Sequence, residues 1–368
     1  MKVSCEKNLL VSAISVASRT VAPKSAITAL EGIYVRAGVK LVLSGYNLET
    51  GITVTVPAEI TEPGECIMPA RLFFDIIRKL PGDAVSLAVD EKFKVQIRSG
   101  IASFSITAMS AEDYPELPDV DSEKGVRIPQ NALKAMIGGT IFSVSENQAR
   151  PIHTGCLFEV ENDAVTMVAV DGYRLALRRA KCSDVLEKFS AIIPGRAVGD
   201  IGKLLSDDEE AFAQLSFGGN KLHIKLENTE IYVILIEGEY VQYRQILPKA
   251  FATRVEVELD PFRRCIDRAA LIAREGSNNL IMLRIEGGSM VIEAHSQIGD
   301  VREELPTRQE GADLSIAFNV KYLTDVVRFI DGDSIELNLN NAVSPCIVTP
   351  VGDSDYVHLI LPVRTGGR

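Results

Sequence analysis

A pattern that recurs three times along 368 residues constrains this chain more than any single motif. Val3-x-Cys5 is followed by Leu10 and Ile14, Val126-x-Ile128 by Leu133 and Ile137, and Val255-x-Val257 by Phe262 and Ile266. The offsets from the first valine are 2, 7 and 11 in all three places. Each copy predicts a short strand running into an amphipathic helix, with Leu10, Ala13, Ile14 and Ala17 on one face of the first helix. The Met1-Lys2 lead-in and the apolar Leu9–Ile14 stretch faintly imitate a signal peptide. A pattern that returns twice in mid-chain is not a cleaved leader.

A second triplet has a spacing of 125 residues. Pro69-x-Arg71-x-x-x-Asp75-Ile76-x-Arg78 aligns with Pro194-x-Arg196-x-x-x-Asp200-Ile201-x-Lys203 and with Asn319-x-Lys321-x-x-x-Asp325-Val326-x-Arg328. Pro or Asn ahead of each window suits a helix start. Leu117-Pro118, Leu247-Pro248 and Leu361-Pro362 close the three copies. Between the helices, segments such as Leu41–Gly45, Ile52–Val56, Val85–Val89 and Phe93–Ile97 alternate and are bounded by turn residues, predicting strands. The expected fold is α+β. It has three repeated domains at 1–120, 121–250 and 251–368, each made of two β-α-β-β-β units.

The formal net charge of −11 argues against a nucleic-acid binder when the chain is taken whole. Its distribution argues otherwise. The six helical windows (7–19, 69–80, 131–142, 194–205, 261–274 and 319–330) hold 14 basic and 4 acidic residues, a net +10, which leaves −21 for the rest. One reading is that helix surfaces simply carry solvated Lys and Arg. The other is that the helices share a face and form a basic lining on an acidic body, suited to sequence-blind contact with phosphate. By repeat position, Arg78, Lys321 and Arg328 are candidates for such a lining. No helix-turn-helix, zinc finger or aromatic-interleaved basic stretch points to base reading.

Catalytic signatures are missing. The six cysteines form no CxxC pair, which points to small buried residues in a reducing compartment. The four histidines lie at least 63 residues apart, outside any metal-ligand spacing. There is no GxSxG, P-loop or GxGxxG. Gly138-Gly139 is a weak signal, Gly218-Gly219-Asn220 reads as a hairpin turn, and Asp331-Gly332-Asp333 lacks the later ligands of a calcium loop. No run of 18 apolar residues occurs. The expectation is a non-enzymatic scaffold with no cofactor and no metal.

The triplication, Asp171-Gly172-Tyr173-Arg174-Leu175-Ala176, Arg71-x-Phe73-Phe74-Asp75, Asp113-Tyr114-Pro115-x-Leu117 and Leu361-Pro362-Val363-Arg364 closely resemble the bacterial DNA polymerase III beta-subunit family of replicative sliding clamps. The resemblance runs from Met1 to Arg364 and implies a head-to-tail dimeric ring of clamp domains, helices inside and sheets outside, around duplex DNA. It implies DNA contacts at Lys24, Arg71, Arg196 and Lys203, and a subunit joint in which Phe104 and Ile106 meet the other copy's Leu271 and Ile272. An intradomain core role for those four apolar residues stays open. It further implies a pocket for short linear peptides between the second and third repeats. The matching positions are Arg150, Val170, Gly172, Tyr173, Arg174, Leu175, Val241, Ile246, Val343, Leu359, Leu361, Pro362, Val363 and Arg364. In that picture aliphatic residues make the walls and arginines the rim.

The implied partners are duplex DNA, a second copy, the DNA polymerase III alpha subunit, the clamp loader, and other polymerases and repair proteins with clamp-binding peptides. The implied setting is the cytoplasm, at the nucleoid, with no membrane. Val241-Gln242, Gln245 and Pro345 depart from the family pattern, and Thr365–Arg368 extend past the family's end in a way that could alter partner affinity. A clamp-like paralogue outside the main replisome, and an enzyme with a diverged site between repeats, are the competing readings. A clustered acid, base and metal set would mark the latter, and the sequence shows none.

Overall fold

Burial follows the expected helical spacing. Leu10, Ala13, Ile14 and Ala17 are the buried positions of the first helix, as predicted. The computed structural model describes all residues except 119, 121–123, 186, 277–278 and 365–368. The tail Thr365–Arg368 therefore lies outside the described residues.

In the first repeat β1 (Lys2–Glu6) leads into α1 (Lys7–Ala17), then β2 (Gly32–Ala37), β3 (Leu41–Tyr46), β4 (Thr50–Val56) and β5 (Ala58–Glu62). Next come β6 (Gly64–Pro69), α2 (Ala70–Lys79), β7 (Ala84–Val89), β8 (Lys94–Ser99) and β9 (Ala102–Thr107). The second repeat runs β10 (Lys124–Pro129), α3 (Gln130–Thr140), β11 (Gly155–Glu161), β12 (Ala164–Val170) and β13 (Arg174–Lys181). It continues with β14 (Phe189–Pro194), α4 (Gly195–Gly202), β15 (Phe212–Gly218), β16 (Lys221–Lys225), β17 (Thr229–Ile234) and the single turn α5 (Tyr243–Ile246). The third repeat has β18 (Thr253–Glu258), α6 (Leu259–Ala273), β19 (Leu280–Glu286), β20 (Ser289–Ser296), β21 (Gly299–Pro306) and β22 (Arg308–Gly311). It ends with β23 (Leu314–Asn319), α7 (Val320–Phe329), β24 (Ser334–Leu339), β25 (Cys346–Pro350) and β26 (Tyr356–Ile360).

All six predicted helices are present, and the repeated β-α-β-β-β unit holds with one addition. In the first and third repeats an extra strand, β5 or β22, pairs antiparallel with β1 or β18. In the second repeat, among the described residues, an isolated bridge from Arg127 to Ser183 occupies that place. The short α5 also had no sequence signal, since four residues cannot display a helical period.

The chain divides into two compact units: Met1–Gln130 with Ser183–Glu187 and Lys203–Leu235, and Asn131–Cys182 with Lys188–Gly202 and Ile236–Arg368. The first unit holds a five-stranded sheet, β5-β1-β7-β8-β9, and an eight-stranded sheet, β10-β15-β16-β17-β4-β3-β2-β6. Pairing of Ile231 with Ile52 carries that larger sheet from one repeat into the next. The turn between β15 and β16 is Gly219-Asn220, with Gly219 at φ +56°, as the sequence predicts.

The second unit holds a four-stranded sheet, β21-β20-β19-β23, and a nine-stranded sheet, β14-β11-β12-β13-β26-β25-β24-β18-β22. Pairing of Leu175 with Leu359 joins second-repeat to third-repeat strands. Its main core sets Leu259, Phe262, Ile266, Ala269 and Ala273 of α6 and Leu323, Val326 and Val327 of α7 against strands of both sheets. Burying each large apolar side chain contributes about 1.5–3 kcal/mol.

Gly139 shows why α3 ends in small residues. A Cβ there would lie 2.8 Å from the Tyr356 ring, whose hydroxyl donates to the carbonyls of Gly139 (3.4 Å) and Phe329 (3.3 Å). Five of the six cysteines are buried, as expected, and Cys182 is half-buried. Burial raises their thiol pKa values, to about 11 for Cys5 and about 12 for Cys66 and Cys156. Among the described residues no helix is long and apolar enough to cross a membrane, and no group of His, Cys, Asp and Glu is placed to hold a metal ion.

Candidate functional site

The Asp171-Gly172-Tyr173-Arg174 segment makes a turn between β12 and β13 that sets one wall of an open cleft in the second unit. Asp171 builds the turn: its carboxylate accepts from the backbone N–H groups of Tyr173 (2.9 Å) and Arg174 (3.1 Å). Gly172 sits at φ +96°, a conformation a Cβ disfavours. The cleft measures about 870 Å³ and is also lined by Phe142, Arg150, His153, Lys321, Tyr322 and Asp325.

Arg174 is the strut of this region. Its Nε donates to Asp171 (2.9 Å), one terminal nitrogen to Asp325 of α7 (2.5 Å), and the other to the carbonyl of Phe142. The guanidinium also lies over the rings of Tyr322 (4.7 Å) and Phe142 (5.4 Å). Only 6% of the side chain is exposed. The sequence reading placed Arg174 at the rim for peptide polar groups; the structure corrects this, because its guanidinium nitrogens are already committed inside the fold. Tyr173 is 62% exposed and stacks on Tyr322 at 6.3 Å, offering a free aromatic face above the strut.

Beside the cleft lies a second apolar cluster. Val170, Leu175 and Leu359 are buried in it, with Val241 and Leu361 packed on its margin. The three buried residues, expected as pocket walls, are therefore its floor, and Val241 and Leu361 supply the accessible edge. The Leu361 N–H donates to the Tyr173 carbonyl (2.9 Å) and the Val363 N–H to the Ala317 carbonyl (2.8 Å). Leu361, Pro362 and Val363 are half-buried, while Arg364, Ile246, Val343 and Arg150 are exposed. Sequence reasoning missed His153, Tyr322 and Asp325 as lining residues. Asp325 was visible only as a repeat position, and nothing in its neighbourhood announced the pairing with Arg174.

The seven cations expected to face DNA (Lys24, Arg71, Arg78, Arg196, Lys203, Lys321 and Arg328) are all exposed. Arg71 lines a small hollow between α1 and α2 with Ser15, Ser18 and Phe74. Arg78 makes a 3.4 Å contact with Asp75, too exposed to neutralise it strongly. Lys321 differs from the others in lining the cleft. The helix charge count needs correction at two further cations. Arg263 donates to Asp260 and to the Val327 and Ile330 carbonyls at the end of α7, and Arg268 holds Glu303 through two bonds of 2.6 and 2.7 Å. Their charge serves the fold.

Each of the four sheets ends in edge strands, and two of these edges stand beside unburied apolar residues. Among the described residues β9 pairs only with β8, and β21 only with β20. On β9, Phe104 is exposed and Ile106 half-buried; at the end of α6, Leu271 is 66% exposed and Ile272 half-buried. An apolar, unpaired edge is a template for pairing with another chain.

Models of the DNA polymerase III beta subunit match the chain end to end: its N-terminal domain at residues 1–118, its central domain at 127–242 and its C-terminal domain at 244–364. The chain belongs to the DNA polymerase III beta-subunit family. The beta sliding clamp of Staphylococcus aureus is 32% identical, over 99% of this chain and all of that protein. The DNA polymerase sliding clamp of Bacillus subtilis has a crystal structure that superposes with a TM-score of 0.95 at 31% identity, each chain covered in full. The DNA polymerase III beta subunit of Thermotoga maritima superposes with a TM-score of 0.92 at 27% identity, over 99% of this chain and all of that one. The protein is thus a sliding clamp built of three clamp domains: a processivity factor in DNA replication and not a catalyst.

Proposed function

We propose that two copies close head to tail into a ring that encircles duplex DNA without reading its sequence and tethers polymerases, the clamp loader and repair proteins through one peptide groove per copy. Three clamp domains, at 1–120, 121–250 and 251–368, make up each half. The observation that carries this reading is that two of the edge strands, β9 and β21, one in each compact unit, stand beside unburied apolar residues. Joining β9 of one copy to β21 of the next removes both edges, and a head-to-tail contact whose rotation closes makes a ring. Phe104 and Ile106 then meet the other copy's Leu271 and Ile272. Retention on DNA comes from topology, so the protein works at the nucleoid, in the cytoplasm.

Phe104→Asp and Leu271→Asp, tested singly by light scattering, are expected to shift the mass from about twice 40.1 kDa to that of one chain. A dimer unchanged in both variants overturns the assigned joint. The DNA-facing set is Lys24, Arg71, Arg78, Arg196, Lys203 and Arg328, with Lys321 as its least secure member because of its place in the cleft. Reversing charge at Arg71, Arg196 and Lys203 together is expected to shorten retention on closed circular DNA and flatten its salt dependence. The far-ultraviolet circular dichroism is expected to stay unchanged, because all three side chains are exposed. Unchanged retention counts against the lining.

The groove comprises Val241, Ile246, Val343, Leu361, Pro362, Val363 and Arg364 over the floor of Val170, Leu175 and Leu359, continued by Arg150, Gly172 and Tyr173 in the cleft. Aliphatic anchors of a partner peptide fit the first part and its polar residues the second.

A further inference from the structure

We propose that the subunit joint repeats the seam between the second and third repeats with its arginine strut left out, so that Gly299 sets how readily two copies part. The inference rests on the ring reading above and names the residue that tunes its joint. The nine-stranded sheet of the second unit runs β14-β11-β12-β13 from the second repeat and then β26-β25-β24-β18-β22 from the third. The four-stranded sheet β23-β19-β20-β21 is the third-repeat copy of the first half, and β9-β8-β7-β1-β5 is the first-repeat copy of the other half. β21 therefore ends its sheet at the place where β13 meets β26, and β9 at the place where β26 meets β13. Joining them across two copies makes the same nine strands in the same order.

The strut does not carry over. In the turn between β12 and β13, the Asp171 N–H donates to the Arg174 carbonyl at 3.3 Å. In the turn between β20 and β21, Ser296 pairs with Gly299. The Ser296 hydroxyl accepts from the Ile298 N–H at 3.3 Å, as the Asp171 carboxylate accepts from that of Tyr173. Gly299 thus holds the place of Arg174. The groups that Arg174 grips have counterparts at the joint. Asp75 holds the repeat position of Asp325, and Leu271 follows Phe262 by nine residues as Phe142 follows Leu133. Asp75 makes a 3.4 Å contact with Arg78 of its own helix, both side chains about half exposed, and a pair of that kind contributes little. A side chain fits at 299. The φ of Gly299 lies outside the left-handed region, and a Cβ there would meet Ile272 Cδ1 at 3.9 Å, an ordinary contact with a residue of the assigned joint. Backbone geometry therefore does not demand glycine at this position, and its effect on the joint is the guanidinium it omits.

The test follows subunit exchange of the full chain, labelled with donor and acceptor dyes in separate pools, mixed, and chased with unlabelled protein. Gly299→Arg is expected to slow exchange about ten-fold at low salt, the scale of one close charge pair across an interface, and the gain is expected to shrink as salt is raised. Gly299→Lys repeats the comparison with a smaller side chain and is expected to recover part of the gain, since an ammonium lacks the planar fork. Gly299→Gln is expected to give none of it. Asp75→Asn added to Gly299→Arg is expected to return exchange to the unaltered rate. Exchange that neither Gly299→Arg nor Gly299→Lys slows, while Phe104→Asp still yields single chains, overturns the vacant strut and leaves the joint standing. A gain shared by Gly299→Gln, or one that survives Asp75→Asn, also overturns it, because the other copy's Asp75 would not be its source. Unaltered protein that light scattering finds as single chains overturns the ring reading itself.

Discussion

Arg174→Ala is expected to destabilise the second unit by about 3–5 kcal/mol, the cost of leaving partners of a buried ion pair uncompensated. Asp171 and Asp325 lose the cation that pairs them, the Phe142 carbonyl loses its donor, and the rings of Phe142 and Tyr322 lose the guanidinium packed over them. Arg174→Lys is expected to recover only part of the loss, because an ammonium cannot span two carboxylates and a carbonyl as a planar fork does. Urea unfolding followed by hydrogen exchange at β13 and α7 resolves the effect to this region. Loss of less than about 1 kcal/mol, the range of a surface pair, would show that Arg174 is not the strut described. Peptide affinity is expected to fall with it, because Tyr173 and Tyr322 would no longer be held.

The second large effect depends on pH. His358 on β26 is fully buried and neither ring nitrogen has a hydrogen-bond partner among the described residues. Its ring stands edge-on to Tyr356 at 4.5 Å and 5.6 Å from Phe142. Burial, reinforced by the positive charges of Arg178 and Arg174, pushes its pKa down to about 3 from 6.5. The folded chain therefore holds a neutral imidazole while the unfolded chain takes up a proton below about pH 6.5. Between those values the unfolded state binds more protons, so stability is full above pH 6.5 and falls as pH drops toward 3. The limiting slope is about 1.4 kcal/mol per pH unit, which makes the deficit about 3 kcal/mol at pH 4. His358→Leu, similar in size and without nitrogens to satisfy, is expected to remove this component and to be at least as stable at pH 7. Urea midpoints from pH 7 to pH 4 for both proteins check it; parallel curves would sink the assignment.

Much of this molecule was legible in its residues. Helix positions followed from apolar spacing in α1 and from the repeated Pro/Asn-x-Arg/Lys-x-x-x-Asp windows of α2, α4 and α7, because a helix must bury one stripe whatever surrounds it. The hairpin at Gly219-Asn220 was legible because turn geometry is local. The strands β5 and β22 were not, since a short edge strand is defined by its partner and carries almost no pattern of its own.

The site divided along the same line. Sequence alone determined the triplication, the family and the positions that gather around Tyr173 and Leu361, since each is written in residue order and spacing. Only the tertiary structure decided what those positions do. Asp75 and Asp325 hold the same place in the repeat, yet one makes a 3.4 Å surface contact with Arg78 of its own helix and the other grips Arg174 of a different repeat at 2.5 Å. It is likewise the fold that buries Arg174, exposes Lys321 beside the cleft and leaves His358 without a hydrogen-bond partner among the described residues. Partner choice and burial depend on distances between segments 151 residues apart in the chain, and periodicity is blind to them.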